Sequence, residues 1–431
     1  MTPGARIAAA IDILSNIETL HRPAADVLKE WGLGHRFAGA KDRAAIATLL
    51  YDALRCRASA AFIMRDETPR GLMLGALWFM RGETRDEIAA LCTGEAHAPA
   101  PLTPREKDRL ANASLEGAPA YVRGNFPQWL APSFAEVFGD NAVVEGEALA
   151  TRAPLDLRVN TLKTTREKAL AALAHLEAEP TPLSPVGLRL PLLPEGHNPS
   201  LAGEPAYVKG LVEIQDEGSQ LAALLCAAKP GEQVLDLCAG GGGKSLALSA
   251  QMENRGQIYA TDRDAARLKG IYPRLERAGT RNIQLRPPRR GSDVLADLAR
   301  RCDLVLIDAP CTGTGVWRRN PDAKWRMRPG ALEQRMKEQD QILEKAAEFV
   351  KPGGRVIYAT CSLLRQENED RIAHFLENHP DFAPIAPADL AEAAGLSALT
   401  RYASRLGPGL RLTPASAGTD GFFIAGLRRR S

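Results

Sequence analysis

The chain has 431 residues, 45% of them hydrophobic, so it can bury a large core and is too long for one ordinary domain. Its net charge is only +3, which excludes a uniformly basic chain and leaves local basic patches as the source of any nucleic-acid affinity. The seven cysteines are odd in number and include no C-x-x-C pair, which argues against a disulfide framework or a zinc site.

The same composition indicates a soluble protein of a reducing, cytoplasmic compartment, without a bound metal. The opening "RIAAAIDILSNIETL" is interrupted by Asp12, Asn16 and Glu18, and no run approaches the roughly 20 apolar residues of a membrane span. We therefore expect no targeting segment and no membrane partner.

Residues 1–143 predict an all-helical domain. Apolar residues recur at spacings of three and four, as in Ile7, Ile11 and Leu14, which is the pattern of amphipathic helices. The density of Pro and Gly rises between residues 94 and 138, as expected for helices joined by long loops.

Residues 144–215 predict a small α/β module. "LDLRVNTLK", "GLRLPL" and "AYVKGLVEIQD" have the pattern of strands, and "TREKALAALAHL" that of a short helix.

Residues 216–431 predict a doubly wound, Rossmann-like parallel sheet. The segments "EQVLDLC", "GQIYATD", "CDLVLID" and "GRVIYAT" are typical of buried strands, and amphipathic helices separate them. The last apolar segment, "DGFFIAGLRRR", predicts a closing edge strand with Gly421 at its turn.

A glycine-rich loop follows the first of these strands, from Ala239 to Ser245. The P-loop pattern requires glycine where this chain has Cys238, and the dinucleotide pattern G-x-G-x-x-G requires glycine where Ser245 or Leu246 stands. S-adenosylmethionine carries no phosphate, so such a loop can hold its amino-acid end while an acid on the next strand, Asp262, binds the ribose. The alternative is a tight turn beside a solvated acid.

Two cysteines follow buried strands of the predicted sheet. Cys311 and Cys361 lie at carboxyl ends of parallel strands, where open α/β sheets bind ligands, and those strands are expected to be neighbours. A single cysteine is usually an inert core residue, but two at one functional edge favour chemistry. Methylation at carbon 5 of a pyrimidine needs both a methyl donor and a thiolate, which activates the ring by adding to carbon 6.

Several motifs together resemble the Sun/Nop family of RNA 5-methylcytosine methyltransferases, most closely its bacterial RsmB-like members. They are "RVNTLK", "IQDEGSQLAALL", "DLCAGGGGKS", "ATDRD", "LIDAPCTGTGVWRRNPDAKW" and "YATCSLLRQENE". The resemblance covers about residues 150–431, and its paired D-A-P-C and T-C-S signatures are highly specific.

The resemblance implies a role for each candidate residue. Cys361 is the implied nucleophile, Cys311 assists product release, and Asp308 lies beside both the donor's sulfonium and the target cytosine. Asp262 binds the ribose of S-adenosylmethionine. The amino-acid end of the donor is held by the loop residues Cys238, Ala239, Gly240, Gly241, Gly242, Gly243 and Lys244.

Two features depart from the family pattern. Gly240 and Gly241 stand where the family usually has Ala-Pro, which is expected to loosen the loop without removing its backbone donors. Arg289 and Arg290 stand about where the family has an acid near the adenine, and Asp293 is the nearest replacement.

The resemblance also implies RNA as the partner, in particular small-subunit ribosomal RNA, and we expect a monomer. The helical domain is similar to the NusB-type RNA-binding fold, although a partner-binding role is an alternative, and the small module resembles an RRM. Segment 318–328 holds five cations and one acid, so we expect phosphate contacts from Arg318, Arg319, Lys324 and Arg326. Segment 281–301 is equally basic, but a solvated face explains it as well.

Two other functions compete with RNA methylation. A non-catalytic RNA-binding or ribosome-assembly factor would keep the fold, but it has no need of both thiols. A small-molecule methyltransferase is disfavoured by the two upstream modules and the basic segment 318–328.

Overall fold

The computed structural model describes residues 1–193 and 199–431 and divides the chain into two compact units. The first is helical and comprises Met1–Arg152 with the segment Trp317–Met327; the second holds both sheets. The helices of the first stretch are α1 (Pro3–Leu20), α2 (Ala24–Gly34), α3 (Ala40–Arg55), α4 (Arg57–Met64), α5 (Pro69–Arg81), α6 (Arg85–Leu91), α7 (Pro104–Ala111), α8 (Ala120–Arg123), α9 (Ala131–Phe138) and α10 (Ala142–Ala150).

The remaining elements alternate along the chain as β1 (Leu155–Val159), α11 (Arg166–Ala172), β2 (Glu179–Pro180), β3 (Gly187–Leu190), α12 (Pro205–Val208), β4 (Val212–Ile214), α13 (Glu217–Leu224), β5 (Gln233–Asp236), α14 (Gly243–Gln251), β6 (Gln257–Ala260), α15 (Ala265–Lys269), α16 (Tyr272–Ala278), β7 (Ile283–Leu285), β8 (Cys302–Asp308), α17 (Pro321–Arg326), α18 (Pro329–Phe349), β9 (Val350–Thr360), α19 (Glu369–Asn378), β10 (Phe382–Ile385), α20 (Pro387–Ala393), β11 (Leu410–Leu412), α21 (Pro414–Ala417) and β12 (Phe422–Arg429).

The helical unit confirms the helical pattern of the early sequence. Ile7 and Leu14 of α1, together with Ile46 and Leu50 of α3, belong to one buried cluster. The unit extends to Arg152, and α10 crosses the boundary expected at residue 143.

A small antiparallel sheet in the second unit has the order β2-β3-β1-β4. One predicted strand is partly wrong: "AYVKGLVEIQD" begins as the short helix α12, and only Val212–Ile214 is extended. Pro205 fits the first helical turn, where no N–H is needed, and the Glu204 side chain caps it by accepting from the Ala206 N–H.

The large sheet has the order β10-β12-β9-β8-β5-β6-β7, with β11 paired to β12. The strands from β9 to β7 are parallel, as in a doubly wound methyltransferase sheet. Along β8, Leu304 and Leu306 pack into one buried cluster and Val305 and Ile307 into another, because alternate side chains leave opposite faces of the sheet.

The last strand is not an edge strand, contrary to expectation. β12 pairs antiparallel with β9 on one side and with β10 on the other. Its residues Phe422 to Leu427 are all buried, which explains why this segment is apolar at successive positions instead of at alternate ones.

Candidate active site

The glycine-rich loop connects the end of β5 to the start of α14 at the carboxyl edge of the large sheet. Gly240 has φ +53° and Gly242 has φ +81°, values that side chains rarely adopt. A Cβ on Gly242 would lie 2.9 Å from a side-chain carbon of Ile271. The loop therefore needs glycine at these positions, and its backbone is open to close approach by a ligand.

Asp262 lies beside this loop at the end of β6. It is 4% exposed, and its two carboxylate oxygens accept hydrogen bonds from the N–H groups of Gly240 (2.9 Å) and Asp264 (2.9 Å). Each oxygen retains acceptor capacity, which suits the two hydroxyls of a ribose.

A second carboxylate, Asp236, lies beneath the loop and is fully buried. Its Oδ2 accepts from the Ser245 hydroxyl at 2.6 Å, whereas its Oδ1 has no hydrogen-bond partner among the described residues. Burial raises the pKa of Asp236 to about 7, although the Ser245 hydrogen bond opposes the shift. A buried polar atom without a partner is costly in a finished structure. The orphaned oxygen, the glycine cradle and Asp262 together fit a polar, phosphate-free ligand such as S-adenosylmethionine.

Lys244 and Asp308 form an ion pair across the site. Lys244 is buried, and its ammonium donates to Asp308 Oδ2 at 2.7 Å. Burial alone lowers the pKa of Lys244, but attraction to Asp308 and to Cys361 more than offsets it, so the pKa lies above its usual value. The site therefore holds a fixed positive charge close to Cys361.

The two predicted cysteines are in contact. Their Sγ atoms are 3.3 Å apart, because β8 and β9 are parallel neighbours in which Asp308 is paired with Ala359. Both thiols are partly exposed. The hydrogen bond to Cys361, followed by burial and the charges of Cys361 and Glu367, raises the pKa of Cys311 well above its usual value.

Behind the thiols lies a polar network that the sequence analysis did not assign. The buried Glu367 carboxylate accepts from Thr312 and Ser362, the residues that directly follow Cys311 and Cys361. Asn368, also buried, accepts from the Thr360 hydroxyl at 2.6 Å and donates to the Ser362 carbonyl at 2.8 Å. Glu367 and Asn368 both belong to the motif "YATCSLLRQENE". Their presence in the same motif as Cys361 was the sequence signal that could have identified them.

Two arginines donate hydrogen bonds to backbone carbonyls of the glycine loop. Arg158 of "RVNTLK" donates to the Gly243 carbonyl at 2.6 Å and also to the Gln215 side chain of "IQDEGSQ". Arg274 donates to the Gly241 carbonyl. The motifs "RVNTLK" and "IQDEGSQ" are therefore linked to the glycine loop through the hydrogen bonds of Arg158. Sequence alone does not reveal this role.

The carboxyl end of β7 borders a cavity of about 480 Å³. Arg286, Arg289 and Asp293 line it together with other residues of segment 284–297. Of the two arginines that stand about where the acid is expected, Arg289 lines this cavity, and so does Asp293.

Segment 317–327 holds the four cations that are expected to contact RNA phosphates. It belongs to the helical unit, where Trp325 Nε1 donates to the Leu54 carbonyl at 2.6 Å. Lys324 is 1% exposed and donates to the Arg55 carbonyl at 3.1 Å, and Arg318 is 5% exposed. Both side chains are buried in this conformation, so phosphate contact by Lys324 and Arg318 stays a prediction that requires them to become exposed.

The other two cations of this segment are more accessible. Arg319 is exposed, and Arg326 is half-buried and pairs with Asp322 at 3.0 Å.

The burial of Lys324 makes a testable prediction about stability. Burial lowers the pKa of Lys324 to about 7, so between pH 7 and its ordinary value the unfolded chain binds more protons than the folded one. Stability contributed by this group therefore rises with pH through that window. We expect Lys324→Met to be more stable than the wild type near pH 7, by on the order of 3 kcal/mol, and this difference to shrink as the pH approaches 10.

Urea unfolding at several pH values measures this difference. The exposed Lys29→Met is the control and should show no such trend. A stability difference for Lys324→Met that does not change with pH would contradict the prediction.

Comparison with known proteins gives a consistent assignment. Residues 223–428 match the family described as 16S rRNA methyltransferase RsmB/F, and residues 126–192 match its ferredoxin-like domain. A probable ribosomal RNA small subunit methyltransferase B of Synechocystis is 32% identical over 71% of this chain and 67% of its own length. The ribosomal RNA small subunit methyltransferase B of Salmonella newport is 32% identical over 76% of this chain and 71% of its own. The chain belongs to the RsmB/F family.

A solved structure agrees with this assignment. A methyltransferase homolog from Pyrococcus horikoshii is 29% identical, covers 72% of this chain and 97% of its own, and superposes with a TM-score of 0.58. As a member of the RsmB/F family, the chain is an S-adenosylmethionine-dependent methyltransferase, and its glycine loop, Asp236 and Asp262 fit that cofactor. Among the helices in the described residues, none is both long and apolar enough to cross a membrane.

Proposed function

We propose that this protein methylates carbon 5 of a cytosine in 16S ribosomal RNA through a covalent adduct between the base and Cys361. The observation that carries the proposal is the pair of thiols, 3.3 Å apart, at the edge of the sheet that also holds the glycine loop. The names of the family and of its relatives supply the RNA substrate.

The charges around the two thiols support different roles for them. Cys361 is among the groups that raise the Lys244 pKa, after Asp308, so the lysine cation lies near this thiol. Cys311 is next to Glu367, whose negative charge disfavours a second thiolate. Cys361 is therefore the better nucleophile, and Cys311 begins the reaction as a thiol.

The chain's residues then act in two stages. The Cys361 thiolate adds to carbon 6 of the cytosine, and carbon 5 becomes nucleophilic. When bound, S-adenosylmethionine supplies the electrophilic methyl group. Cys311 next gives up its own proton to solvent, and the resulting thiolate accepts the proton on carbon 5. The electron pair of that C–H bond restores the double bond between carbons 5 and 6, and the bond between carbon 6 and Cys361 breaks with its electron pair returning to Cys361 as a thiolate.

Asp308 is suited to orient the base. Its side chain is 34% exposed, whereas its partner Lys244 is 8% exposed, so the carboxylate faces the open side of the ion pair. A carboxylate in this position can accept a hydrogen bond from the cytosine amino group.

We also propose that the chain has three domains, with the helical residues 1–143 and the small module 144–215 contributing to RNA binding before the methyltransferase domain at 216–431. The exposed Arg319 follows Cys311 by eight residues in the sequence and is suited to phosphate contact. The low aromatic content, 5%, favours recognition of RNA shape and backbone with one extruded cytosine.

Bisulfite sequencing of 16S ribosomal RNA from a strain lacking the gene tests the proposal. We expect one cytosine to lose its methylation and to regain it when the wild-type gene is restored, but not when a Cys361→Ala gene is restored. An unchanged methylation pattern in the deletion strain would instead favour a non-catalytic RNA-binding factor.

A further inference from the structure

We propose that Glu367 is a positioning residue for Cys311: it fixes the two thiol-bearing loops to each other and sets when Cys311 can accept the carbon-5 proton. This inference rests on the proposed function, since it assigns Glu367 to the release step of that reaction.

The contacts of Glu367 tie the loops together at one carboxylate. Oε1 accepts from the Thr312 N–H at 2.8 Å and from Gln339 Nε2 at 3.0 Å. Oε2 accepts from the hydroxyls of Thr312 and Ser362. Thr312 follows Cys311 and Ser362 follows Cys361, so one side chain sets the spacing of both sulfur atoms.

The surroundings of Glu367 hold its carboxylate rigidly. Glu367 is 0% exposed, and the Tyr358 hydroxyl donates to its backbone carbonyl at 2.7 Å. Gln339 of α18 contacts the Pro310 carbonyl at 2.9 Å as well as Glu367, which extends the support to the residue before Cys311. All four contacts to the carboxylate come from N–H or O–H donors, so both of its oxygens act as acceptors and are held in place.

The fixed charge of Glu367 also orders the proton transfers. Before the reaction, the hydrogen bond to Cys361, burial, and the charges of Cys361 and Glu367 all raise the pKa of Cys311 and keep it protonated. Addition of Cys361 to the base converts it into a neutral thioether, so one of the two opposing charges disappears. Cys311 then loses its proton to water, and its thiolate, made more basic by Glu367, takes the proton from carbon 5 as Cys361 departs.

Two substitutions at position 367 separate charge from position. Glu367→Gln removes the charge and should slow release by roughly 10- to 100-fold, because it also loosens the geometry. It should also move the pH at which release is half-maximal down by about one unit. Glu367→Asp keeps the charge but shortens the side chain, so release should slow while the midpoint stays at the wild-type pH.

Release is measured as the decay of the RNA-linked protein band at several pH values. The reactions are single turnovers on 16S ribosomal RNA with S-adenosylmethionine, and denaturant quenches them. Glu377→Gln, an exposed glutamate on α19, is the matched control and should behave as the wild type. Binding of S-adenosylmethionine and thermal unfolding confirm that each variant is folded.

Two outcomes overturn the inference: a wild-type release rate and midpoint in Glu367→Gln, or the same midpoint shift in both substitutions. If Glu367→Gln does not fold, Thr312→Val is tested in its place, because this substitution removes one hydrogen-bond donor to the carboxylate. Release at the wild-type rate in both Thr312→Val and Glu367→Asp then overturns the inference. If the wild type forms no linked band and no methylated RNA, the proposed function fails. If the wild type methylates its RNA and Glu367→Gln releases it at the wild-type rate and midpoint, only the positioning role of Glu367 is rejected.

Discussion

Cys361→Ala should abolish both methylation and the covalent protein–RNA complex, whereas Cys311→Ala should keep the complex and lose its release. Removing the nucleophile removes the first bond-forming step, so methylation should fall by at least about 10³-fold. Removing the proton acceptor slows a later step, by about 10²- to 10⁴-fold. With Cys311→Ala, the protein should therefore accumulate on its RNA, bound through Cys361.

The measurement is a denaturing gel of each variant after incubation with unmodified 16S ribosomal RNA and S-adenosylmethionine. Cys302→Ala, a buried thiol at the other end of β8, is the matched control and should neither trap RNA nor lose methylation. A linked band with Cys361→Ala and none with Cys311→Ala would reverse the two roles. Undiminished methylation in both variants would exclude thiol catalysis.

Asp262→Ala should weaken S-adenosylmethionine binding by roughly 10- to 100-fold. The carboxylate is the candidate ribose acceptor, and hydrogen bonds to a charged group are worth about 1.5–3 kcal/mol. The same substitution removes the hydrogen bond that holds the Gly240 N–H at 2.9 Å, so the loop also loses support. Calorimetric titration with S-adenosylmethionine measures the change.

The neighbouring Asp264→Ala provides the control for this substitution. Asp264 caps α15 by accepting from the Ala266 N–H at 2.8 Å, and its loss should cost stability without a large change in donor affinity. Equal donor affinity in Asp262→Ala and the wild type would remove Asp262 from the cofactor site. Tighter binding of NAD or ATP than of S-adenosylmethionine would contradict the cofactor assignment itself.

Burial of Lys324 limits what charge counting can say about RNA binding. Segment 318–328 is strongly basic in sequence, yet its Lys324 packs beside the rings of Trp317 and Trp325, at 5.9 and 5.0 Å from their centroids. A lysine stem is long and apolar, so it can be buried where its ammonium finds a carbonyl acceptor. Sequence reports the charge of such a residue but not its exposure.

The sequence by itself determined the strands β5, β6, β8 and β9 of the large sheet, the glycine loop and the thiols at its edge. Runs such as Leu304 to Ile307 are apolar at every position, which is sufficient to predict a strand buried on both faces. Backbone geometry restricts the loop to small residues, and parallel strands bring their carboxyl ends to one edge. These are local or topological constraints, so they are visible in the order of residues.

Only the tertiary structure decided which distant residues support that edge. Glu367 is separated from Thr312 by 55 positions and Arg158 from Gly243 by 85, and no periodicity connects such pairs. The place of β12 inside the sheet and the burial of Lys324 likewise depend on contacts between residues that are distant in the sequence. Each depends on which surfaces meet after folding, and a buried polar group takes its partner from whatever donor or acceptor the packing brings within hydrogen-bond distance.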